Sequence, residues 1–205
     1  MPGEPPRPRP RAARRPEAER RDRLLDDLVD LFRQEGFAEL TLDDLARRLR
    51  CSKSTLYLVA TSKEQLVAAT VRRFFARATA AVESRLDARD DAAARLVAYL
   101  DAVAGELQTA GPRFFADVAA HPPAREIYLT NTRLAATRVQ QLVAEGIATG
   151  RMRELDAGFV GTAVAQVMTA IHRGDIAAGT GLDDASAYRE LARFVCAALM
   201  PIAPS

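Results

Sequence analysis

From about residue 20 onward, apolar residues recur at spacings of three and four and almost never alternate with polar ones. That rhythm lays one apolar stripe along each of a series of helices and leaves no segment that reads as a half-buried strand. Alanine is abundant and β-branched runs are absent, which favours helix again. The fold expected is all-α: about three short helices, then a larger helical bundle, joined by a long fourth helix.

The punctuation places the elements. Leu24, Leu25, Leu28, Leu31 and Phe32 share one face of a first helix over 20–35, and Gly36 can end it in a left-handed cap. Thr41 is a suitable N-cap for a second helix ending near Arg50, with Asp43 and Asp44 favoured in its first turn. Ser52 caps a very short third helix over 53–59. Ser62 caps the fourth, with Gln65 completing a capping box, and this helix should reach Asp87. Further helices are expected at 92–108, after Pro112, from Pro122 to about Ala148, at 156–178 and at 183–200. Residues 1–19 hold six of the eleven prolines, much arginine and little apolar content, and are expected to be a disordered arm. The expected division is therefore arm 1–19, small N-terminal domain 20–66 and C-terminal bundle 67–205.

Several function classes drop out. No stretch approaches the roughly 18 uncharged apolar residues a membrane span needs. The N-terminal arginines have no apolar run behind them, so they do not form a secretory signal. Cys51 and Cys196, with only His121 and His172 besides, support neither a disulfide framework nor a metal site. No cofactor motif is present, and no nucleophile–base pair, paired carboxylates or phosphate loop suggests an enzyme. A reduced, cytoplasmic compartment is the simple expectation.

Charge is informative only when localised. The net charge is +2, but residues 1–21 carry seven arginines against Glu4, Glu17 and Glu19, and the remaining 184 residues carry 22 bases against 24 acids. Over 45–63, Arg47, Arg48, Arg50, Lys53 and Lys63 meet no acid. Two basic zones on a slightly acidic body suit a polyanion docked at one end; charge alone suits a solvated tail and an ordinary polar helix face better.

The second zone coincides with two short helices separated by a turn of about three residues, the geometry of a helix-turn-helix. The second of them opens on Ser52-Lys53-Ser54-Thr55. Small hydroxyls and a lysine beside free backbone N–H groups suit a phosphate and the polar edges of bases. Tyr57 adds a hydroxyl beside an apolar ring, and Arg47 and Arg48 lie on the outer face of the supporting helix. Since this geometry also occurs in proteins that bind no DNA, the chemistry alone leaves both readings open.

Phe32, Gly36-Phe37, Thr41, Leu45-Ala46, Ser52-Lys53-Ser54-Thr55-Leu56-Tyr57, Ser62-Lys63-Glu64 and Leu66 resemble, in order and spacing, the DNA-binding domain of the TetR family of bacterial transcriptional regulators. The resemblance covers about a quarter of the chain. It implies that Ser52, Lys53, Ser54, Thr55 and Tyr57 lie on a recognition helix, that Thr41 caps and touches phosphate, and that Lys63 anchors the far backbone. It also implies a homodimer paired through its last two helices, a palindromic double-stranded DNA operator, a small-molecule pocket in the C-terminal domain, and repression relieved by ligand in the bacterial cytoplasm, at the nucleoid while DNA is bound. Two departures stand out. Leu58, Val59 and Ala60 replace an aromatic or histidine pair and a phenylalanine, which leaves a helical protein-interaction module with weakened or lost DNA binding as the alternative. Arg50 takes a turn position where glycine is usual, and a left-handed arginine costs roughly 1 kcal/mol.

In the C-terminal bundle, Phe159, Val160, Val164, Val167, Met168 and Ile171, with Tyr188, Leu191, Phe194, Val195 and Leu199, form stripes wider than one core needs, as dimer helices would. Phe74, Phe75, Tyr99, Phe114, Phe115, Tyr128 and Met168 are candidate walls of a pocket, and Thr132, Gln140 and His172 its candidate polar groups. No basic cluster points to an anion, so an apolar or weakly polar effector is expected. Cys51, in the turn, reads as a small packing residue or a thiol switch.

Overall fold

The computed structural model describes residues 11–86 and 91–199, the side chains of 11–16, His172 and Ala185 aside. Ten helices fill the described residues, and no strand occurs among them. They are α1 (Arg11–Glu35), α2 (Leu42–Arg48), α3 (Lys53–Leu56), α4 (Lys63–Ser84), α5 (Ala92–Gln108), α6 (Pro112–Ala120), α7 (Pro122–Ala148), α8 (Ala157–His172), α9 (Asp175–Thr180) and α10 (Asp184–Leu199).

The caps are largely those the sequence dictates. Gly36 ends α1 at φ +78°. Thr41 accepts from the Asp44 amide at 3.1 Å while the Asp44 carboxylate accepts from the Thr41 amide at 3.0 Å, a complete capping box. Ser52 caps α3 and Ser62 caps α4. Gln65, however, reaches past Ser62 and accepts from the Thr61 amide at 3.2 Å and hydroxyl at 2.8 Å. The box expected at Ser62 and Gln65 is thus only half formed, because Thr61 offers two donors to one amide oxygen.

Three boundaries differ from expectation. α1 begins at Arg11, so the arm expected to be disordered over 1–19 is helical from residue 11; residues 1–10 lie outside the described residues. The helix expected over 156–178 is two, because Gly174 takes φ +80° and breaks the ladder between α8 and α9. α3 closes after Leu56, and residues 57–59 follow as turns. The expected ends at Asp87 and Met200 lie outside the described residues.

Two cores form. One joins α5, α7, α8 and α10 around Leu96, Leu142, Val143, Val164 and Ile171. The other begins in the N-terminal helices with Leu28, Phe32, Phe37, Leu45 and Leu56, and continues without interruption into α4, α6 and α7 through Phe74, Phe75, Phe114 and Tyr128. Phe114, 1% exposed, is the hinge of this continuity. Its ring meets Phe37 edge-on at 6.2 Å and Phe74 at 4.9 Å. The first core builds the bundle, and the second fixes the short helices onto it.

Candidate nucleic-acid interface and inner cavity

Leu45 and Leu56 anchor α2 and α3 in the N-terminal core, and everything on the opposite side of these helices is polar. Thr41, Arg47, Arg48, Ser52, Lys53, Ser54 and Tyr57 are exposed, Tyr57 by 49%; Thr55 and Lys63 are half-buried. The three hydroxyls of α3 form a cluster in which Ser52 Oγ lies 2.7 Å from Ser54 Oγ and 2.9 Å from Thr55 Oγ1. The cations beside them are held by carboxylates of the same domain. Lys53 Nζ lies 2.7 Å from Asp43, which raises its pKa by hydrogen bonding and by charge. Arg47 pairs with Asp44 and Arg48 with Glu35. These are exposed pairs, held weakly enough for phosphates to compete for the cations. Lys63 donates to the Ala38 carbonyl at 2.9 Å and so ties the start of α4 to the turn after α1.

Arg50 does adopt φ +50°, alone among the described residues that are not glycine. The turn therefore keeps the left-handed geometry and accepts the strain. Val59 and Ala60 pack against the N-terminal core, so two of the three apolar residues after Tyr57 are engaged in packing. Cys51 packs there too, and burial pushes its thiol pKa up, which disfavours the thiolate a redox switch needs.

Sequence reasoning passed over two features of this end. Arg20 Nη2 approaches Thr55 Oγ1 at 3.5 Å, which brings the basic start of α1 alongside α3. Asp117 of α6 accepts from the Phe37 amide at 2.5 Å and the Ala38 amide at 2.9 Å, while the Gly111 amide donates to the Arg33 carbonyl at 2.8 Å. The C-terminal bundle thus holds the α1–α2 corner directly. Only Arg20 left a signal in the sequence, as part of the basic zone at 1–21; nothing in the spacing pairs position 117 with position 37.

Within the bundle, a cavity of about 70 Å³ lies among α4, α5, α7, α8 and α10. Phe75, Tyr99, Tyr128, Thr132 and Met168, all expected as pocket residues, line it. Phe114 does not; it is spent in the phenylalanine cluster. Phe115 lines a separate outer groove between α6 and α10. Phe74 is core, Gln140 packs toward Gly158 and Gly161 of α8, and the side chain of His172 lies outside the described residues. The sequence missed Glu106, Asn131 and Tyr188. Tyr188 shares a face with Leu191 and Val195 and so reads as part of the dimer stripe; in the structure it bonds the Tyr128 hydroxyl at 2.8 Å. Burial raises the Tyr99 pKa well above the ordinary tyrosine value and that of Tyr128 to about 12, so both phenols stay protonated.

The stripes on α8 and α10 divide. Val164, Met168, Ile171, Leu191, Val195 and Leu199 are buried in the bundle's own core. Phe159 and Phe194 remain 74% and 71% exposed, beside Leu155 at 42%.

Residues 24–70 match the family model described as bacterial regulatory proteins, tetR family. Over 54 residues the chain is 46% identical to an uncharacterized HTH-type transcriptional regulator, YvaF, of Bacillus subtilis (strain 168). Residues 24–70 are therefore a TetR-family DNA-binding segment by sequence. The match to YvaF covers 26% of this chain and spans 28% of that protein's length. Solved structures extend the fold to the rest. A putative transcriptional regulator from Saccharomonospora viridis, in complex with choline, superposes with a TM-score of 0.72 at 20% identity, covering 90% of this chain and 100% of that one. A TetR transcriptional regulator from Chloroflexus aurantiacus J-10-FL gives 0.68 at 21%, covering 92% and 100%. The TetR-family helix-turn-helix is therefore α2–turn–α3, mounted on an all-α bundle, and no helix among the described residues is long and apolar enough to cross a membrane.

Proposed function

We propose that this TetR-family chain is a homodimeric transcriptional repressor that grips a palindromic operator through α3 and releases it when a small molecule occupies the inner cavity. The observation that carries the reading is the single polar surface of α2, its turn and α3, where Arg47, Arg48, Arg50, Lys53, Ser54 and Tyr57 are exposed together over a buried Leu45 and Leu56. On this reading Ser54 and Tyr57 meet base edges. Arg47, Arg48, Lys53 and Thr41 meet phosphates, and Lys63 braces the corner from which α2 departs. Two copies of α3 then sit about one DNA turn apart, ~34–36 Å, in successive major grooves.

The second copy docks through α8 and α10, where Phe159 and Phe194 stand in water in the lone chain. The inner cavity takes the effector, a small apolar or weakly polar molecule; the choline in the Saccharomonospora viridis neighbour supports a small-molecule occupant for this fold. Occupation favours a dimer with the wrong separation of its α3 helices. The difference travels along α4, which lines the cavity with Phe75, Ala78 and Thr79 and starts at the DNA-binding end with Lys63, and through α6, which holds the α1–α2 corner. The working place is the bacterial cytoplasm, at the nucleoid while DNA is bound.

Genomic fragments pulled down with the protein and sequenced test the reading. A palindrome should emerge, bound with an affinity that falls steeply as salt rises. Affinity for a protein and none for any fragment at low salt would instead support an interaction module of the same fold.

A further inference from the structure

The inner cavity has a one-sided chemistry. Its walls hold four aromatic rings, those of Phe75, Tyr99, Tyr128 and Tyr188, and one carboxylate, Glu106, but no lysine or arginine. Its polar hydrogens are largely committed to the protein. Asn131 Nδ2 donates to the Ile127 carbonyl at 2.8 Å, Thr132 to the Tyr128 carbonyl at 3.1 Å and Tyr99 to the Ala135 carbonyl at 3.5 Å, and the Tyr128 and Tyr188 hydroxyls bond each other. Thr79, exposed at the edge of the wall, and the second hydrogen of the Asn131 amide are not spent in these bonds, and the tyrosine pair uses one of its two hydroxyl hydrogens between the rings. What remains for a guest is chiefly oxygen lone pairs, ring π-systems and a negative charge. Glu106 is bridged to Arg85 at 3.1 Å, but Arg85 is the more exposed partner, 54% against 21%, so the carboxylate is the group nearer the interior.

Past the tyrosine pair the charges are mixed. Tyr128 and Tyr188 also line the outer groove, of about 830 Å³. There Asp184 is half-buried and has no ion-pair partner among the described residues, while Arg173 and Arg189 are exposed. Burial and the neighbouring Asp183 push the Asp184 carboxyl pKa up, which an arriving positive charge would reverse.

We propose that the effector is a small organic cation, an alkylated ammonium on an apolar body, whose charge sits among Phe75, Tyr99, Tyr128 and Tyr188 with Glu106 in the same wall. Aromatic rings attract a cation by their quadrupole, and the attraction strengthens where water is excluded. An anion finds no cationic side chain in the wall to greet it, only a few neutral donors. At about 70 Å³ the cavity holds only a few waters, so a larger cation must widen it, and parting the Tyr128–Tyr188 bond would join it to the groove. The inference rests on reading this cavity as the effector site.

The test is a matched pair on the full-length protein: choline, and its neutral carbon isostere in which a tert-butyl group replaces the trimethylammonium. Affinity is read by calorimetry, and release by fluorescence anisotropy of a bound genomic fragment. The cation should bind at least about tenfold more tightly than the isostere. Glu106→Gln should erase most of that preference while leaving the isostere's affinity unchanged, and its melting temperature without ligand reports whether the variant is folded. Equal binding of the two, or tighter binding of the isostere, overturns the cation and leaves the effector site standing. Silence from both at millimolar concentration overturns the cation, and release of DNA by neutral apolar compounds would then show that the cavity itself was read correctly.

Discussion

Arg50 and Gly36 bracket α2 and use the same left-handed region at opposite costs. At φ +50° Arg50 carries a strain that glycine would not, so Arg50→Gly should raise stability by up to about 1 kcal/mol, visible as a higher melting temperature. A Cβ added at Gly36 would stand 2.5 Å from Asp117 Oδ2, on top of its φ of +78°. Gly36→Ala should therefore cost about 1–3 kcal/mol and loosen the α1–α2 corner. Lys53→Ala removes an exposed cation already shared with Asp43. It should weaken DNA binding on all sequences alike and lower the salt slope by about one, with the sedimentation coefficient unchanged. These positions were legible in the sequence to different depths. Arg50 was visible because a turn between two helices needs a left-handed residue. The caps at Thr41, Ser52 and Ser62 were visible because the residue types that cap are few. Asp117 was invisible, because its partners are backbone amides eighty positions away and amides leave no mark in a sequence.

At the scale of elements, α1 is the hub, tied to α4 and α6 by different means. To α4 it is bound by charge: Asp26 accepts from Arg73 Nε at 2.8 Å and Nη2 at 2.9 Å, with Arg77 at 3.3 Å. The Arg73 hydrogen bonds hold Asp26 below the usual carboxylate range against a smaller opposing effect of burial. A carboxylate depressed in the folded state contributes its stability above the unfolded pKa and loses it as pH falls through the folded one. Acidification below about pH 4 should therefore loosen α1 from α4, and Asp26→Asn should remove that part of the acid sensitivity at a cost of about 1 kcal/mol near neutrality, since both groups are about one-third exposed. To α6 the hub is bound by the Asp117 bonds and the Gly111–Arg33 contact. Asp117→Ala should speed hydrogen exchange at the Phe37 and Ala38 amides and uncouple DNA release from effector without abolishing dimers. Helix periodicity revealed nearly every element here, since the stripes are strong. It failed where a single glycine, Gly174, cuts a continuous stripe, because stripe spacing records which face is buried and not whether the ladder is unbroken.

For the molecule as a whole, the apolar residues of α8 and α10 do two jobs that spacing cannot separate. Val164 and Leu199 at 1% exposure belong to the bundle, and Phe159 and Phe194 are left outside it. Replacing both phenylalanines with aspartate should give a folded monomer by sedimentation that no longer holds an operator, since a single α3 in one groove forfeits half the contacts. Tyr188 shares their helix yet bonds Tyr128 across the bundle, so the surface that would meet a second copy and the cavity that would take a guest are two sides of α10. The second core runs straight through the division expected at residue 66. Phe114 roofs Phe37 and Phe74 alike. A clone truncated after residue 66 would bare Phe32 and Phe37 to solvent, and the headpiece would clump or melt instead of surviving as an autonomous reader of DNA.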